Sequence, residues 1–329
     1  MKSPEKLAVF RRSLVRWYRD HGRDLPWRRT RDPYAILVSE FMLQQTQVAT
    51  VLPYYHNWLR SFPNFTSLAR ASENAVLRAW QGLGYYARAR NLHATAKMIV
   101  DRHGGNLPRE IEQIRQLSGI GKYTAHAVAS FALDQSVPIV EANTGRVLAR
   151  LFNFRESIDS DAGRNTLWQY AACLLPKSDA ATFNSALLDL GALICVRRKP
   201  KCDVCPVKAF CHAKNPAALP ARKSRPKMKQ LIETHALIVR HGRILLEQSR
   251  HRWRGMWILP PLGPNRLEQP FVRGQPVYES VFAFTHHRVT LSVYRRAGPK
   301  RIAPGQKWFK SIQHVAMPSP HRRAIDALV

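Results

Sequence analysis

Apolar residues recur at spacings of three and four over the first two thirds of the chain, and this pattern predicts helices. Near the start, Leu7, Phe10, Leu14 and Trp17 fall on one face of such a helix. Proline and glycine interrupt the pattern often, and few stretches alternate as strands do. We therefore expect residues 1–212 to form one mainly helical domain.

The pattern changes after residue 212. Residues 213–230 contain three prolines, many basic residues and little to bury, as linkers do. Beyond them, residues 235–240 and 243–248 predict two short strands joined by a turn at His241 and Gly242. Residues 289–294 alternate like a half-buried strand. Residues 231–329 are thus expected to form an α+β domain.

The charge is strongly unbalanced. There are 52 Lys+Arg against 22 Asp+Glu, a formal net charge of +30. Such a field favours polyanions, above all nucleic acid, although charge alone separates neither DNA from RNA nor either from an anionic membrane. The apolar stretches, such as residues 186–196, are too short to span a bilayer, and the N-terminus lacks the apolar core of a signal peptide. We expect a cytoplasmic protein that makes no membrane contact.

Four of the five cysteines are clustered, in the spacing Cys195-x6-Cys202-x2-Cys205-x5-Cys211. Four thiolates close in sequence can bind a [4Fe–4S] cluster. Zinc is the alternative, but zinc ribbons usually carry two CxxC pairs and this chain has one. A structural cluster would fix a loop rich in Lys and Arg against a phosphate backbone, although these cations could equally form a solvated surface.

A glycine-rich turn lies between two predicted helices. Ile111, Ile114 and Leu117 indicate the first helix, and residues 124–133 the second. Gly119 and Gly121 between them allow a tight turn whose N–H groups face outward at a helix N-terminus, where phosphate binds well. Ile120 would anchor the turn in the core. A bare GxG is more often only a turn.

The residues around this turn resemble the hairpin of helix-hairpin-helix DNA glycosylases. With the cysteine spacing, they resemble the superfamily of endonuclease III and MutY. Residues 25–28, 32–34, 39–48 and 82–88 are similar to the adenine DNA glycosylase (MutY) family. The resemblance covers nearly the whole chain and is strongest over residues 24–211. It implies a helix-hairpin-helix glycosylase domain with an iron–sulfur loop, followed by a Nudix-like domain.

Excision of adenine requires an acid that protonates the base and a carboxylate that stabilises the positive sugar. Glu40 lies among apolar residues that would raise its pKa if it were buried. By itself it could be an exposed helix residue; by resemblance it protonates adenine. By the same resemblance Glu141 is the second carboxylate, where the family usually has Asp, and Asn143 orients the carboxylates.

Tyr123 distinguishes this chain from endonuclease III-like enzymes, which resemble it but have a lysine nucleophile at that position. The neighbouring Lys122 is out of register. The resemblance therefore implies a monofunctional glycosylase, in which Tyr123 forms a hydrogen bond within the site.

The resemblance also implies residues that contact the substrate. Trp27 and Arg28 would line the adenine pocket. Gln45 and Tyr85 would enter the base stack where adenine leaves, although Tyr85 could be a core aromatic residue. Ser185 stands where a longer amide or acid is expected to contact the base.

Residues 245–250 and 253–260 resemble the MutY C-terminal domain. No Nudix catalytic box follows, since residues 260–271 contain only Glu268 as a glutamate. We interpret the domain as one that recognises the lesion. Phe284, Thr285 and His286 resemble the segment that reads 8-oxoguanine, although a strand end with exposed polar neighbours would look similar.

The sequence thus predicts a monomeric base-excision enzyme that removes adenine opposite 8-oxoguanine or guanine in double-stranded DNA. Two alternatives remain: an endonuclease III-like lyase that acts on oxidised pyrimidines, and a non-catalytic iron–sulfur DNA-binding protein.

Overall fold

A computed structural model describes residues 3–222, 228–263, 274–284 and 286–329. They fold into two compact units. The first unit comprises Met1–Gln45 and Met98–Ser224, and the second comprises Thr46–Lys97 and Arg225–Val329. The predicted division into residues 1–212, 213–230 and 231–329 stays a prediction.

Helices dominate the chain up to residue 189. They are α1 (Pro4–His21), α2 (Pro33–Leu43), α3 (Val48–Ser61), α4 (Phe65–Arg70), α5 (Glu73–Ala79), α6 (Ala87–His103), α7 (Ile111–Arg115), α8 (Lys122–Phe131), α9 (Ala142–Leu151), α10 (Asp161–Leu174) and α11 (Ala180–Asp189). A 3₁₀ turn precedes α2 at Pro26–Arg28, and a π-helical turn extends α11 over Leu190–Ile194. The predicted helical character is confirmed.

The core of the first unit forms where α1 packs on α11. Phe10 and Leu14, on the predicted apolar face of α1, are fully buried and join a cluster with Phe183 and Leu187. Burial of such side chains is the main favourable contribution to folding. The same cluster includes residues of α9 and α10, so these helices are held around one core.

The predicted hairpin is present between α7 and α8. Gly119 has a φ of 72°, a conformation that suits glycine, and Ile120 between the glycines is buried. The second helix begins at Lys122 and ends at Phe131, two residues earlier at each end than predicted. Gly121 is its N-cap, so α8 starts directly after the turn.

The strands of the described residues lie in the second unit: β1 (Lys229–Leu237), β2 (Val239–Arg240), β3 (Arg243–Gln248), β4 (Trp257–Ile258), β5 (Tyr278–Phe284), β6 (His287–Arg295) and β7 (Gln306–Phe309). One sheet has the order β1-β6-β5, with β1 parallel and β5 antiparallel to β6. The other has the order β2-β3-β4, and β7 also pairs with β3. Helix α12 (Ser319–Leu328) follows. The α+β architecture predicted for this part is confirmed.

The predicted turn between β2 and β3 is also present. His241 and Gly242 have φ angles of 49° and 66°. Positive φ at both central residues is the mark of a type I′ turn, whose backbone matches the right-handed twist of the strands.

Candidate active site

Helix α2 carries Glu40 into the interior. The carboxylate of Asp32 caps the helix by accepting hydrogen bonds from the backbone N–H groups of Tyr34 (3.0 Å) and Ala35 (3.3 Å). Residues 34–42 are all buried, so this helix has no solvent-facing side at these positions. Glu40 itself is only 6% exposed. Glu40 is therefore buried and is not an exposed helix residue, and a carboxyl group so placed resists ionisation.

Tyr123, in the first turn of α8, donates a hydrogen bond from its hydroxyl to Glu40. Burial raises the pKa of Glu40 to about 7; the negative charge of Glu141 acts in the same direction, while the Tyr123 hydrogen bond and the charge of Arg28 oppose both. Burial also raises the pKa of Tyr123 well above its ordinary value, so its hydroxyl keeps its proton. Glu40 can therefore carry a proton near neutral pH.

Glu141 occupies the N-cap of α9. Its Oε1 atom accepts hydrogen bonds from the backbone N–H groups of Asn143 (2.7 Å) and Thr144 (2.9 Å), and the Thr144 hydroxyl accepts one from the Glu141 N–H (2.8 Å). This reciprocal pattern is a capping box. Burial raises the pKa of Glu141, and these donors together with Arg146 oppose that rise. Donors and a helix N-terminus stabilise the ionised carboxylate.

The site thus contains two carboxyl groups in contrasting surroundings. Glu40 lies in an apolar helix with one hydroxyl donor, whereas Glu141 meets backbone donors and a nearby guanidinium. Such contrasts assign one carboxyl group as the acid and the other as the anion. The arrangement can protonate a leaving group and stabilise positive charge beside it.

Asn143 connects Glu141 to the segment after α11. Its backbone N–H donates to Glu141, and its side-chain oxygen accepts from Arg146 Nη2 (2.9 Å). Arg146 also donates to the carbonyls of Gly191 (2.6 Å) and Cys195 (2.8 Å). A Cβ at position 191 would lie 2.8 Å from Asn143 Cβ, so glycine permits this close approach. Arg146 was not predicted from the sequence.

Arg28 is held by a buried acid that the sequence analysis did not single out. Asp189, at the end of α11, has a fully buried side chain and accepts from Arg28 Nη1 (2.6 Å) and Nη2 (2.7 Å). Arg23 binds the same carboxylate through its backbone N–H (2.7 Å), Nε (2.8 Å) and Nη2 (2.6 Å). Hydrogen bonds from the two arginines hold the pKa of Asp189 below its usual range, against the effect of its burial. Trp27, beside Arg28, is buried in the 3₁₀ turn.

Ser185 lies on α11, one turn before Asp189, and is buried. Its neighbour Asn184 donates to the Ser130 hydroxyl (2.9 Å) and the Val137 carbonyl (3.0 Å). The acidic side chain on this face of α11 is thus Asp189. An apolar run interrupted by a single Asp is the sequence signal that could have identified it.

Gln45 and Tyr85 both have a positive φ angle, which is uncommon for residues other than glycine. Gln45 follows α2 with a φ of 56° and is exposed. Tyr85, in the second unit, has a φ of 48° and is 43% exposed, so it is not a core aromatic residue. Arg88 supports this loop by donating to the carbonyls of Leu83 (3.0 Å) and Gly84 (3.1 Å). Non-glycine residues in the left-handed region often lie at functional positions.

The hairpin turn presents an open helix N-terminus. A Cβ added at Gly121 would meet none of the described residues beyond its chain neighbours within 4 Å, and the φ of −88° there is ordinary. Lys122, the first residue of α8, points its ammonium at the ring of Trp168, 4.2 Å from the ring centre. The amine of Lys122 thus faces Trp168, whereas the hydrogen bond to Glu40 comes from the hydroxyl of Tyr123.

The four cysteines lie in the loop that follows α11, and, besides burial, the charge of each of the other three raises the pKa of Cys205. Burial raises the pKa of Cys205 to about 11, so a thiolate there requires a compensating positive centre. Arg150, fully buried on α9, donates to Cys195 Sγ (3.3 Å) and to the Val196 carbonyl (2.8 Å). This all-thiol set fits a [4Fe–4S] cluster, which would be held by Cys195, Cys202, Cys205 and Cys211 and would cross-link the loop.

Two of the candidate lesion-reading residues, Phe284 and His286, lie where β5 ends and just before β6 begins. Phe284 ends β5 and packs against Arg252, whose guanidinium carbon lies 4.5 Å from the ring centre. His286 is exposed, and its carbonyl accepts from the Lys229 N–H (2.8 Å). Thr285 lies outside the described residues.

Comparison with known families identifies two regions. Residues 38–173 match the HhH-GPD superfamily of base excision DNA repair proteins. Residues 195–211 match the iron–sulfur binding domain of endonuclease III, which confirms the predicted cofactor loop. Among the described residues, none of the helices has the length and apolar character needed to cross a membrane.

Comparison with individual proteins is more specific. The chain is 44% identical over 211 residues to the adenine DNA glycosylase of Mycobacterium tuberculosis, covering 62% of this chain and 68% of that protein. It is 42% identical over 216 residues to the adenine DNA glycosylase of Rattus norvegicus. That match covers 63% of this chain but only 42% of the rat protein, so the chain spans less than half of this relative's length.

A solved structure of a thermostable thymine-DNA glycosylase is also similar. It is 32% identical, has a TM-score of 0.59, and aligns over 63% of this chain and 96% of its own. The site geometry, the iron–sulfur loop and these matches agree: the chain belongs to the adenine DNA glycosylase family, within the HhH-GPD superfamily of base excision DNA repair proteins.

Proposed function

We propose that this protein is a monofunctional adenine DNA glycosylase. It hydrolyses the N-glycosidic bond of adenine that is mispaired with 8-oxoguanine or guanine in double-stranded DNA. The observation that carries the proposal is the state of Glu40, which is buried, hydrogen-bonded by Tyr123 and has a pKa raised to about 7. An acid of this kind is suited to protonate a poor leaving group near neutral pH.

Glu40 and Glu141 act in successive steps of the proposed reaction. Protonated Glu40 donates its proton to a ring nitrogen of adenine, and the C–N bond to the sugar breaks with its electrons passing to the base. The Glu141 carboxylate stabilises the resulting positive sugar, either by charge or by transient attack. Water then supplies the new oxygen of the abasic site and loses a proton. Asn143 holds Glu141 through its backbone N–H.

The side chain that reaches Glu40 supports hydrolysis without a dedicated strand-cleavage step. The hydrogen bond to Glu40 comes from the Tyr123 hydroxyl, while the Lys122 amine packs on Trp168. A Schiff-base lyase needs a lysine that reaches the sugar carbon. The related endonuclease III-type reaction is therefore the weaker candidate.

DNA would be held by several parts of the chain. The N–H groups at Gly119 and Gly121 and the basic iron–sulfur loop would bind phosphates. Trp27 and Arg28 would line the adenine pocket, and Gln45 and Tyr85 would fill the space that the extruded base leaves. Phe284, Thr285 and His286 would read 8-oxoguanine. We propose that the protein acts as a monomer in the cytoplasm, in association with the nucleoid.

Product analysis on matched duplexes tests the proposal. One duplex carries adenine opposite 8-oxoguanine, a second carries thymine glycol, and a third carries thymine opposite guanine because of the likeness to a thymine-DNA glycosylase. Strand breakage that appears only after alkali and only at adenine is the expected result. Breakage of the thymine-glycol strand without alkali would indicate a lyase, and tight binding with no abasic site would indicate a binding protein.

A further inference from the structure

The strands of the second unit bring basic residues together at one end. Arg240 in β2 is paired with Arg243 in β3, on either side of the two-residue turn. Phe309 of β7 pairs with Ile244, so Lys310, the next residue, lies at the same end of β3 as Arg243. Like charges that lie opposite each other destabilise a pair of strands. The register of these strands thus leaves three positive charges at one end, where they repel one another.

The segment between β6 and β7 adds further positive charge. The Arg296 N–H, just after β6, donates to the Leu237 carbonyl (3.0 Å), which places this segment beside the end of β1. A Cβ added at Gly298 would lie 3.7 Å from Arg240 Cδ, so the segment then passes β2. We use the name basic end for a set of six exposed residues: Arg240, Arg243, Arg295, Lys300, Arg301 and Lys310.

Acidic residues do not neutralise the basic end. Residues 280–325 contain nine Lys and Arg and neither Asp nor Glu. In the part of the chain that the structure describes, none of the ion pairs includes a residue of the basic end. Two acids of nearby strands have other partners, since Glu247 accepts from Gln306 (2.9 Å) and Glu279 accepts from Ser292 (2.6 Å). The charge of the basic end therefore favours a partner of opposite sign.

The basic end is separate from the candidate lesion-reading residues. Strand β6 begins at His287, directly after His286, and ends at Arg295. Its nine residues span about 27 Å of extended chain. Phe284 and His286 thus lie at one end of β6 and the basic end lies at the other. Along the axis of B-DNA, that distance corresponds to about eight base pairs.

We propose that the basic end binds the phosphate backbone of duplex DNA at a place that the lesion-reading residues do not contact. B-DNA carries one negative charge per about 1.7 Å of its axis, so a duplex presents several phosphates to such a cluster at once. Exposed Arg and Lys side chains bind this backbone by releasing its counterions, and such contacts do not read the sequence. The backbone belongs either to a more distant part of the duplex at the active site or to a second duplex.

The salt dependence of binding to undamaged DNA tests the inference. Fluorescence anisotropy gives the affinity of the full-length protein for duplexes of about 12 and about 40 base pairs over a range of KCl concentrations. Each phosphate contact contributes about 0.9 to the slope of log affinity against log salt. Two triple variants of exposed residues in the second unit are compared with the parent protein, one at the basic end and one as a charge-matched control: Arg240→Gln with Arg243→Gln and Lys310→Gln, and Arg60→Gln with Arg70→Gln and Arg78→Gln.

The basic-end variant is expected to lower the slope on the longer duplex by about two to three, and the control by less than about one. A loss confined to the longer duplex would indicate one continuous duplex, and an equal loss on both lengths would indicate a second duplex. An unchanged slope in the basic-end variant, or an equal loss in the control, would overturn the proposal. An unchanged slope together with weaker binding of poly-glutamate would assign the surface to an acidic protein and would also overturn it.

Thermal unfolding checks that the basic-end variant is folded. Because the substitutions remove repulsion between like charges, we expect its Tm to equal or exceed that of the parent protein. If the variant melts earlier, Lys300→Gln with Arg301→Gln replaces it, since these residues lie outside the strands. That double variant should lower the slope by about one to two, and an unchanged slope there would contradict the proposal. None of these readouts involves base excision, so the inference and the proposed function can fail separately.

Discussion

At the residue scale, Glu40 and Glu141 carry the same functional group in opposite surroundings. Glu40 is enclosed by the apolar residues of α2 and receives one hydroxyl hydrogen bond. The Glu141 carboxylate accepts hydrogen bonds from the N–H groups of Asn143 and Thr144 in the first turn of α9. Burial raises the pKa of both groups, but at Glu141 the backbone donors and Arg146 oppose that rise. The proposed division of roles therefore rests on burial and on helix capping.

The pKa of about 7 predicts how the rate of base release depends on pH. Because the acid acts in its protonated form, the single-turnover rate should be level below pH 7 and should fall as pH rises through that value. Rapid-quench measurements between pH 5.5 and 9 test this, with duplex binding measured at each pH as the control. A rate that rises through pH 7 would mean that Glu40 acts as a base.

Replacement of Glu141 by Asp should preserve or raise activity. Asp restores the shorter side chain that is usual in the family, and it is a good N-cap residue for α9. Glu141→Gln is the matched control: it keeps the length and an acceptor oxygen but removes the charge, and should lose about 10²-fold or more in single-turnover rate. A large loss in Glu141→Asp itself would show that the local backbone has adapted to Glu.

At the element scale, α9 connects the Glu141 carboxylate to the iron–sulfur loop. Glu141 caps the start of the helix, and Arg146 and Arg150 farther along it donate to the carbonyl of Cys195 (2.8 and 3.2 Å). After α11, the π-helical turn brings Gly191 against Asn143. The position of Glu141 thus depends on packing that a capping motif alone does not reveal.

Asp189→Asn should destabilise the first unit. It removes the buried charge that both Arg23 and Arg28 bind, and loss of one partner from a buried pair costs about 3 kcal/mol or more. Urea unfolding measures this change in the free energy of unfolding. Asp134→Asn, which breaks the exposed ion pair with Arg31, is the control and should change it by about 0.5 kcal/mol or less. Equal effects of the two changes would contradict the conclusion that Asp189 stabilises the first unit through its buried ion pairs with Arg23 and Arg28.

Local patterns were sufficient for much of the fold. The α1 face, the hairpin with buried Ile120, and the turn at His241 follow from spacing and from glycine. The Asp189 cluster did not, because its partners are 161 and 166 residues away in the sequence. The charges in a sequence do not show which acidic residue will form an ion pair with an arginine that is distant in the chain. The placement of Glu40 near Tyr123 likewise required the resemblance to a family.

At the scale of the whole molecule, the formal charge of +30 provides attraction to DNA without specificity. Charge of this kind would serve a binding protein as well as an enzyme. What distinguishes the enzyme is the pair of carboxyl groups, which a binder would have no reason to bury beside each other. The central claim is therefore that Glu40 supplies the proton for adenine release.

Single-turnover base release by Glu40→Gln, on a duplex with adenine opposite 8-oxoguanine, tests that claim most directly. Gln keeps the size of the side chain but has no acidic proton, so the rate should fall by about 10²–10⁴-fold while duplex affinity is kept. Glu156→Gln, an exposed change, is the control and should retain the parental rate. A Glu40→Gln protein that binds the duplex and still releases adenine at the parental rate would contradict the account.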